Sequence, residues 1–207
     1  MLPPIEHEFP RCHRFQRYVG YGVLRVAGWD IEGDVPKGPK AIMIGAPHTS
    51  NWDLVISLST LWALGMQFSW LGKESLFEGP GGTFLKAIGG VPVDREAPQG
   101  LVQQVAEAFE GADAMLLLIP PEGTRSRRPY WKSGFYYMSK AACVPVVLGI
   151  ADWKRKRSGF RGEMMPTGDL IADMNVVRAA YADQAGLKPE NRSDIKLRGE
   201  EEGLQPA

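Results

Sequence analysis

The sequence predicts an α/β fold: a single domain with a mixed central β-sheet flanked by helices. Three observations carry that prediction. Short apolar runs recur at 41–46, 114–119 and 144–150, each the length of a buried strand. Between them, apolar residues repeat at helical spacing, as in Leu101, Val102, Val105, Ala108 and Phe109. The first two runs each end in a polar, turn-forming stretch, which is where open α/β sheets present their functional groups.

Composition sets the outer bounds. A chain of 207 residues with 44% hydrophobic content is long enough to bury a real core. Lys+Arg and Asp+Glu are equal at 24 each, so bulk charge points away from a nucleic-acid partner. Cys12 and Cys143 are far apart and lie in no metal-ligand spacing, which argues against a disulfide framework and for a reducing compartment. The longest apolar run, 141–151, is interrupted by Pro145 and falls short of the roughly 20 residues a membrane span needs. The amino-terminal stretch lacks the pattern of a secretory signal. These features predict a soluble or peripherally attached cytoplasmic protein.

Taken in order, residues 1–12 are expected to be loose, with prolines and charges. A helix follows over 13–29. Phe15, Val19, Gly22, Val23 and Val26 fall on one side of it, and Arg14, Arg17 and Arg25 on the other, with Tyr18 and Tyr21 near the boundary. That composition suits an interfacial membrane helix, and equally an ordinary surface helix packed on the core. Residues 31–40 read as a turn region. The core, 40–185, begins with the strand at 41–46 and a helix from Asn51 to about Gly65. A second strand at 67–71 ends at Gly72-Lys73. A short helix spans 83–88, followed by an extended piece at 89–95. After the helix ending near Gly111 come the strand at 114–119, a helix at 131–142 and the strand at 144–150. Pro145 predicts that this last strand lies near a sheet edge. Lys154-Arg155-Lys156-Arg157 is a basic run, either solvated or facing anionic lipid. Asp169 is placed to cap a last helix carrying Leu170, Ile171, Met174, Val177 and Tyr181 on one face. Residues 186–207 are expected to form a disordered tail. No internal repeat or second domain is visible.

The stretch with most chemistry is Pro47-His48-Thr49-Ser50-Asn51-Trp52-Asp53. Within one helix, residues five apart point roughly 140° away from each other, at about 100° per residue. Here a turn separates them, so the imidazole can fold back on the carboxylate. Asp53 would then hold one ring nitrogen as N–H and leave the other as a base. The bland alternative is a capping box, Ser50-x-x-Asp53. Two further stretches present anion-binding groups. Gly89-Gly90-Val91-Pro92-Val93-Asp94-Arg95 offers a guanidinium beside permissive backbone, and Pro121-Glu122-Gly123-Thr124-Arg125-Ser126 offers hydroxyl, backbone and guanidinium. Either could also be a solvated loop.

In combination these blocks resemble the glycerolipid acyltransferase family, whose familiar members are the lysophosphatidic acid acyltransferases. His48, four residues, then Asp53 match the family's hallmark. The stretches at 89–95 and 121–126 are similar to its second and third blocks, and Val144-Pro145-Val146-Val147 to its fourth. Lys73 also matches. Pro120 stands where the family usually has an aromatic residue, and the transmembrane helix of many members has no counterpart.

The resemblance implies transfer of a fatty acyl group from a thioester, on coenzyme A or acyl carrier protein, to a hydroxyl of a lysophospholipid. His48 and Asp53 would be catalytic. Lys73, Arg95, Glu122, Gly123, Thr124 and Arg125 would bind the acceptor phosphate. Neither a metal nor a further cofactor is required, and attachment to the inner face of the membrane would be peripheral. No G-x-S-x-G elbow is present, consistent with the acceptor hydroxyl as nucleophile. A different lysolipid acceptor, a hydrolase using the same His, and a non-catalytic membrane-binding module are the alternatives.

Overall fold

The computed structural model describes residues 2–79, 81–87, 89–94 and 100–201. Its strands are β1 (Asp30–Glu32), β2 (Lys40–Ala46), β3 (Trp70–Lys73), β4 (Gly90–Val93), β5 (Met115–Ile119), β6 (Val146–Asp152) and β7 (Arg157–Met164). The helices are α1 (Arg14–Ala27), α2 (Asn51–Leu64), α3 (Gly82–Ala87), α4 (Gly100–Glu110), α5 (Gly134–Ala142), α6 (Leu170–Tyr181) and α7 (Arg198–Glu201). Five strands form one sheet in the order β1-β7-β6-β2-β5, and β3 pairs with β4. Ser69, just before β3, bridges Leu117 of β5 in parallel and joins the two sheets.

Strands β3, β4, β5, β2 and β6 all run parallel, so their carboxyl ends share one edge. Side chains alternate across a strand. Ile42 and Ile44 of β2 therefore pack in the cluster with Phe135 of α5 and Met174 of α6. Ala41 and Met43 pack in the opposite cluster, with Leu61 and Leu64 of α2. Burial on both faces explains why β2 and β6 read as continuous apolar runs rather than alternating ones.

The fold is the α/β class expected, and four local expectations change. β6 is interior, flanked by β2 and β7, because Pro145 precedes it and only its carbonyl is needed, accepting from Ile42 N–H at 3.0 Å. The expected turn region at 31–40 contains part of β1, which pairs in parallel with β7. Residues 2–12 are tied down: Phe9 is 2% exposed, and Cys12 N–H reaches Gly65 O at 2.9 Å. The stretch 186–201 is built onto the fold, with Leu197 fully buried and bridged to Trp131. Arg178 anchors it further through Glu200 at 2.7 Å. The rest of the expected tail, 202–207, lies outside the described residues.

Helix α1 packs on α2 through a narrow seam rather than through its apolar stripe. Gly20 lets the backbones close in, since a Cβ there would lie 2.5 Å from Ser59 O. Leu24 is buried beside Ile56. The stripe faces outward instead: Phe15 is 69% exposed and Val26 92%. Arg17 leaves the basic face and turns inward, donating to the carbonyls of Pro3 and Ala63.

Candidate active site

The site lies at the carboxyl edge, where β2 gives way to α2. Ser50 caps the helix, its Oγ accepting Trp52 N–H at 3.2 Å. Asp53 closes the capping box: its Oδ2 accepts the N–H groups of Thr49 at 2.6 Å and Ser50 at 2.7 Å. His48 lies just outside, its Nδ1 3.8 Å from the same Oδ2. The carboxylate that closes the capping box thus also lies beside the imidazole. At 3.8 Å the pair is within ionic reach but is not yet a hydrogen bond, a looseness common in unliganded sites. With Nδ1 turned to Asp53, Nε2 is the nitrogen left to take a proton.

Burial pushes the His48 pKa below its ordinary value, Asp53 opposes that shift, and the Arg125 charge adds to it. The ring is thus mostly neutral near pH 7, the form a base requires. It opens on a cavity of about 160 Å³ whose lining includes Ala46, Leu54, Leu118, Pro120 and Ala151. Leu118 and Pro120 also line a neighbouring groove of about 490 Å³ that includes Trp70, Leu71, Phe135 and Met138. The surroundings of His48 are therefore apolar on the sheet side.

Glu122 does not face open solvent. It is 2% exposed, and its Oε1 accepts His48 backbone N–H at 2.8 Å. Its Oε2 accepts from Ser193 Oγ at 2.8 Å. Burial raises its pKa, and these hydrogen bonds act against that rise. It braces the turn carrying His48, a different role from the acceptor-phosphate contact expected. Gly123 follows in a left-handed turn, φ +64°, directly beneath the Lys132 side chain. Thr124 Oγ1 accepts Ser126 N–H at 3.4 Å. Arg125 reaches across to hydrogen-bond Asn51 Oδ1, which brings its charge to the mouth of the site.

Lys73 is exposed at the end of β3, on the same edge. That strand is two places from β2, about 10 Å at ordinary strand spacing, and Lys73 is not among the contacts of the His48–Asp53 pair. Arg95 lies outside the described residues. Asp94 before it is held by Gln104, which accepts its N–H at 2.8 Å and donates to its carbonyl at 2.6 Å. Cys143, a free thiol that could rival the acceptor hydroxyl as a nucleophile, caps α5 just before β6 begins, at the opposite edge of the sheet. No group of His, Cys, Asp or Glu able to hold a metal occurs among the described residues.

Two members of this neighbourhood had no sequence expectation. Trp153 donates its indole N–H to Asp53 Oδ1 at 2.6 Å. Ser193 sits in the stretch expected to be disordered. Trp153 had a usable signal: it directly follows β6, just as the His48 loop follows β2 and the Glu122 loop follows β5.

Fold and site together define a class: an α/β protein with a His–Asp pair at the carboxyl end of a parallel strand, open to an apolar cavity. The chain belongs to the acyltransferase family, whose model matches residues 30–149. In structure it is similar to the crystallised 1-acyl-sn-glycerophosphate (LPA) acyltransferase, PlsC, of Thermotoga maritima. The TM-score is 0.55 at 16% identity, covering 82% of this chain and 78% of that one, a likeness of fold. No curated protein sequence matches the chain.

Proposed function

We propose that this protein transfers a fatty acyl group from a coenzyme A or acyl carrier protein thioester to the free hydroxyl of a lysophospholipid, of the 1-acylglycerol-3-phosphate type. The observation that carries this reading is His48, kept neutral by burial and 3.8 Å from a buried carboxylate, opening on an apolar cavity. His48 Nε2 takes the acceptor's hydroxyl proton as that oxygen attacks the thioester carbonyl. Asp53 stabilises the imidazolium so formed. The tetrahedral intermediate collapses with loss of the thiolate, which receives the proton back from His48. The product is the diacyl lipid and the free thiol. No acyl-enzyme is required, in keeping with Cys143 at the far edge. Arg125, with Lys73 at the end of β3, supplies positive charge for the acceptor phosphate, and Arg95 is assigned to the same task from the family resemblance of its sequence block. Thr124 adds a hydroxyl.

The experiment is acyl transfer measured by mass spectrometry of the lipid product, with acyl-coenzyme A or acyl carrier protein, with and without lysophosphatidic acid. Acceptor-dependent formation of diacyl product supports the reading. Thioester loss at the same rate without acceptor would make the protein a hydrolase.

Peripheral membrane attachment belongs to the same proposal. Among the described residues no helix is long and apolar enough to cross a bilayer. The outward stripe of α1 exposes Phe15, Val19 and Val26, and the start of α2, a few residues past His48, exposes Trp52 and Val55. Such a surface supports insertion of apolar side chains at the lipid interface, beside the site that needs the lipid. Binding to anionic liposomes should weaken with salt yet persist, since apolar insertion is unscreened. Val19→Asp should reduce co-sedimentation more than Arg14→Gln does, and the reverse order would move the contact elsewhere.

A further inference from the structure

Asp53 is held from two sides. The N–H groups of Thr49 and Ser50 bind Oδ2 and form the capping box common at helix starts, so they need no catalytic explanation. The Trp153 indole is different. Its Nε1–H donates to Oδ1 at 2.6 Å from 100 residues further along the chain. A carboxylate held through one oxygen can still turn, because the terminal torsion of Asp is broad. Fixing the second oxygen fixes the plane of the group, and hence where Oδ2 sits relative to His48.

Trp153 is itself tightly placed. Its backbone N–H donates to Ala185 O at 2.9 Å. Its ring meets Trp29 edge-on, 4.9 Å between centroids at 86°. Trp29 is buried and directly follows Gly28, the carboxyl cap of α1. The indole also has the right chemistry for the position. It offers one donor and no charge, so it orients the anion without competing with the imidazolium for it, as Lys or Arg would.

We propose that Trp153 is a positioning residue for the His48–Asp53 pair, its indole N–H fixing the carboxylate so that Oδ2 faces the imidazole. Trp29 holds the indole in place. The kinetic half of this proposal rests on the acyl-transfer reading; the hydrogen bond does not.

Trp153→Phe keeps an aromatic ring against Trp29 and removes only the donor. It should lower kcat by about tenfold, the scale of one hydrogen bond to a charged group. KM for both donor and acceptor should stay within about twofold. In a His48→Ala background the same substitution should add no loss, because positioning matters only while the base is present. In ¹H–¹⁵N spectra, the indole resonance missing from Trp153→Phe identifies Trp153. That resonance should lie downfield in the wild type and move upfield in Asp53→Ala. An equal loss in both backgrounds, or a rise in KM with kcat unchanged, overturns the proposal. An indole resonance indifferent to Asp53 overturns it too, and does so whether or not acyl transfer is detected. A wild-type protein that transfers no acyl group to any lysophospholipid instead ends the functional reading.

Discussion

The turn after β2 and the turn after β6 stand side by side at one sheet edge, and both end on the same carboxylate. They are built very differently. The first is local: Thr49, Ser50 and Asp53 satisfy one another within five residues, and the helix start dictates the geometry. The second is closed by Asp152, whose Oδ1 accepts the N–H groups of Lys154 at 2.9 Å and Arg155 at 3.2 Å. Three of its four basic side chains are engaged within the protein. Arg155 pairs with Asp152 at 3.1 Å and Asp183 at 2.7 Å, and Arg157 with Asp30 at 3.1 Å. Lys156 donates to Ala27 O at 3.0 Å. A run of four cations that invites comparison with a lipid-binding patch is here a hairpin whose charges are largely spent on the fold. A charge run is thus an uncertain guide to a surface until its counter-charges are located.

Four substitutions test the contrast. His48→Ala should have the largest effect, lowering turnover by roughly 10²- to 10⁴-fold, the range for loss of a general base, with the melting temperature nearly unchanged. Asp53→Ala should match that loss and also destabilise the fold by about 2–4 kcal/mol, because it strands buried donors at both turns. Thermal or urea denaturation separates the two. Equal stability of both variants would mean that the carboxylate does not hold the turns together.

Arg125→Gln should have an intermediate effect, readable in the pH profile. The groups around His48 are Asp53, Glu122 and Arg125, and burial and Arg125 lower its pKa while Asp53 raises it. A base fails when protonated, so kcat/KM should fall as pH drops through the lowered His48 value, below about 6.5. Removing the guanidinium raises that value and moves the acid limb to higher pH. A limb that stays put would detach Arg125 from the site.

The smallest effect belongs to the hairpin. Lys156 has φ +52°, a left-handed conformation that costs an ordinary residue about 1–2 kcal/mol. Lys156→Gly relieves that strain and loses one exposed hydrogen bond, so stability should change by less than about 1 kcal/mol. Activity should be unaltered. A large loss of turnover would show that this turn does more than carry Trp153.

What the sequence reveals follows the same division. Strands β2, β5 and β6 are legible because burial on both faces leaves unbroken apolar runs. β7 is not: Arg157, Arg161, Glu163 and two glycines conceal it, and its pairing with β6 is established only in three dimensions. His48 and Asp53 are legible because one helix start defines both. Trp153 and Ser193 are not, since their bonds to Asp53 and Glu122 cross 100 and 71 residues, distances at which spacing carries no signal. Glu122 is legible as a member of the neighbourhood, but its role depends on which atoms it meets.

The place of β2 in the sheet bears on how the chain is synthesised. Its two partners begin only at Met115 and Val146, and β1 likewise waits for β7. When the ribosome has made His48 and Asp53, the strand that carries them has neither neighbour, and Trp153 does not yet exist. Parallel pairing across such separations is slow, and an unpaired apolar strand is prone to aggregate in the interval. α1 and α2 are both made before β5 appears; α2 packs on the face of the sheet that includes Ala41 and Met43, and α1 packs on α2. The nascent helical pair is therefore the first shelter available to β2, before the strands that complete it emerge.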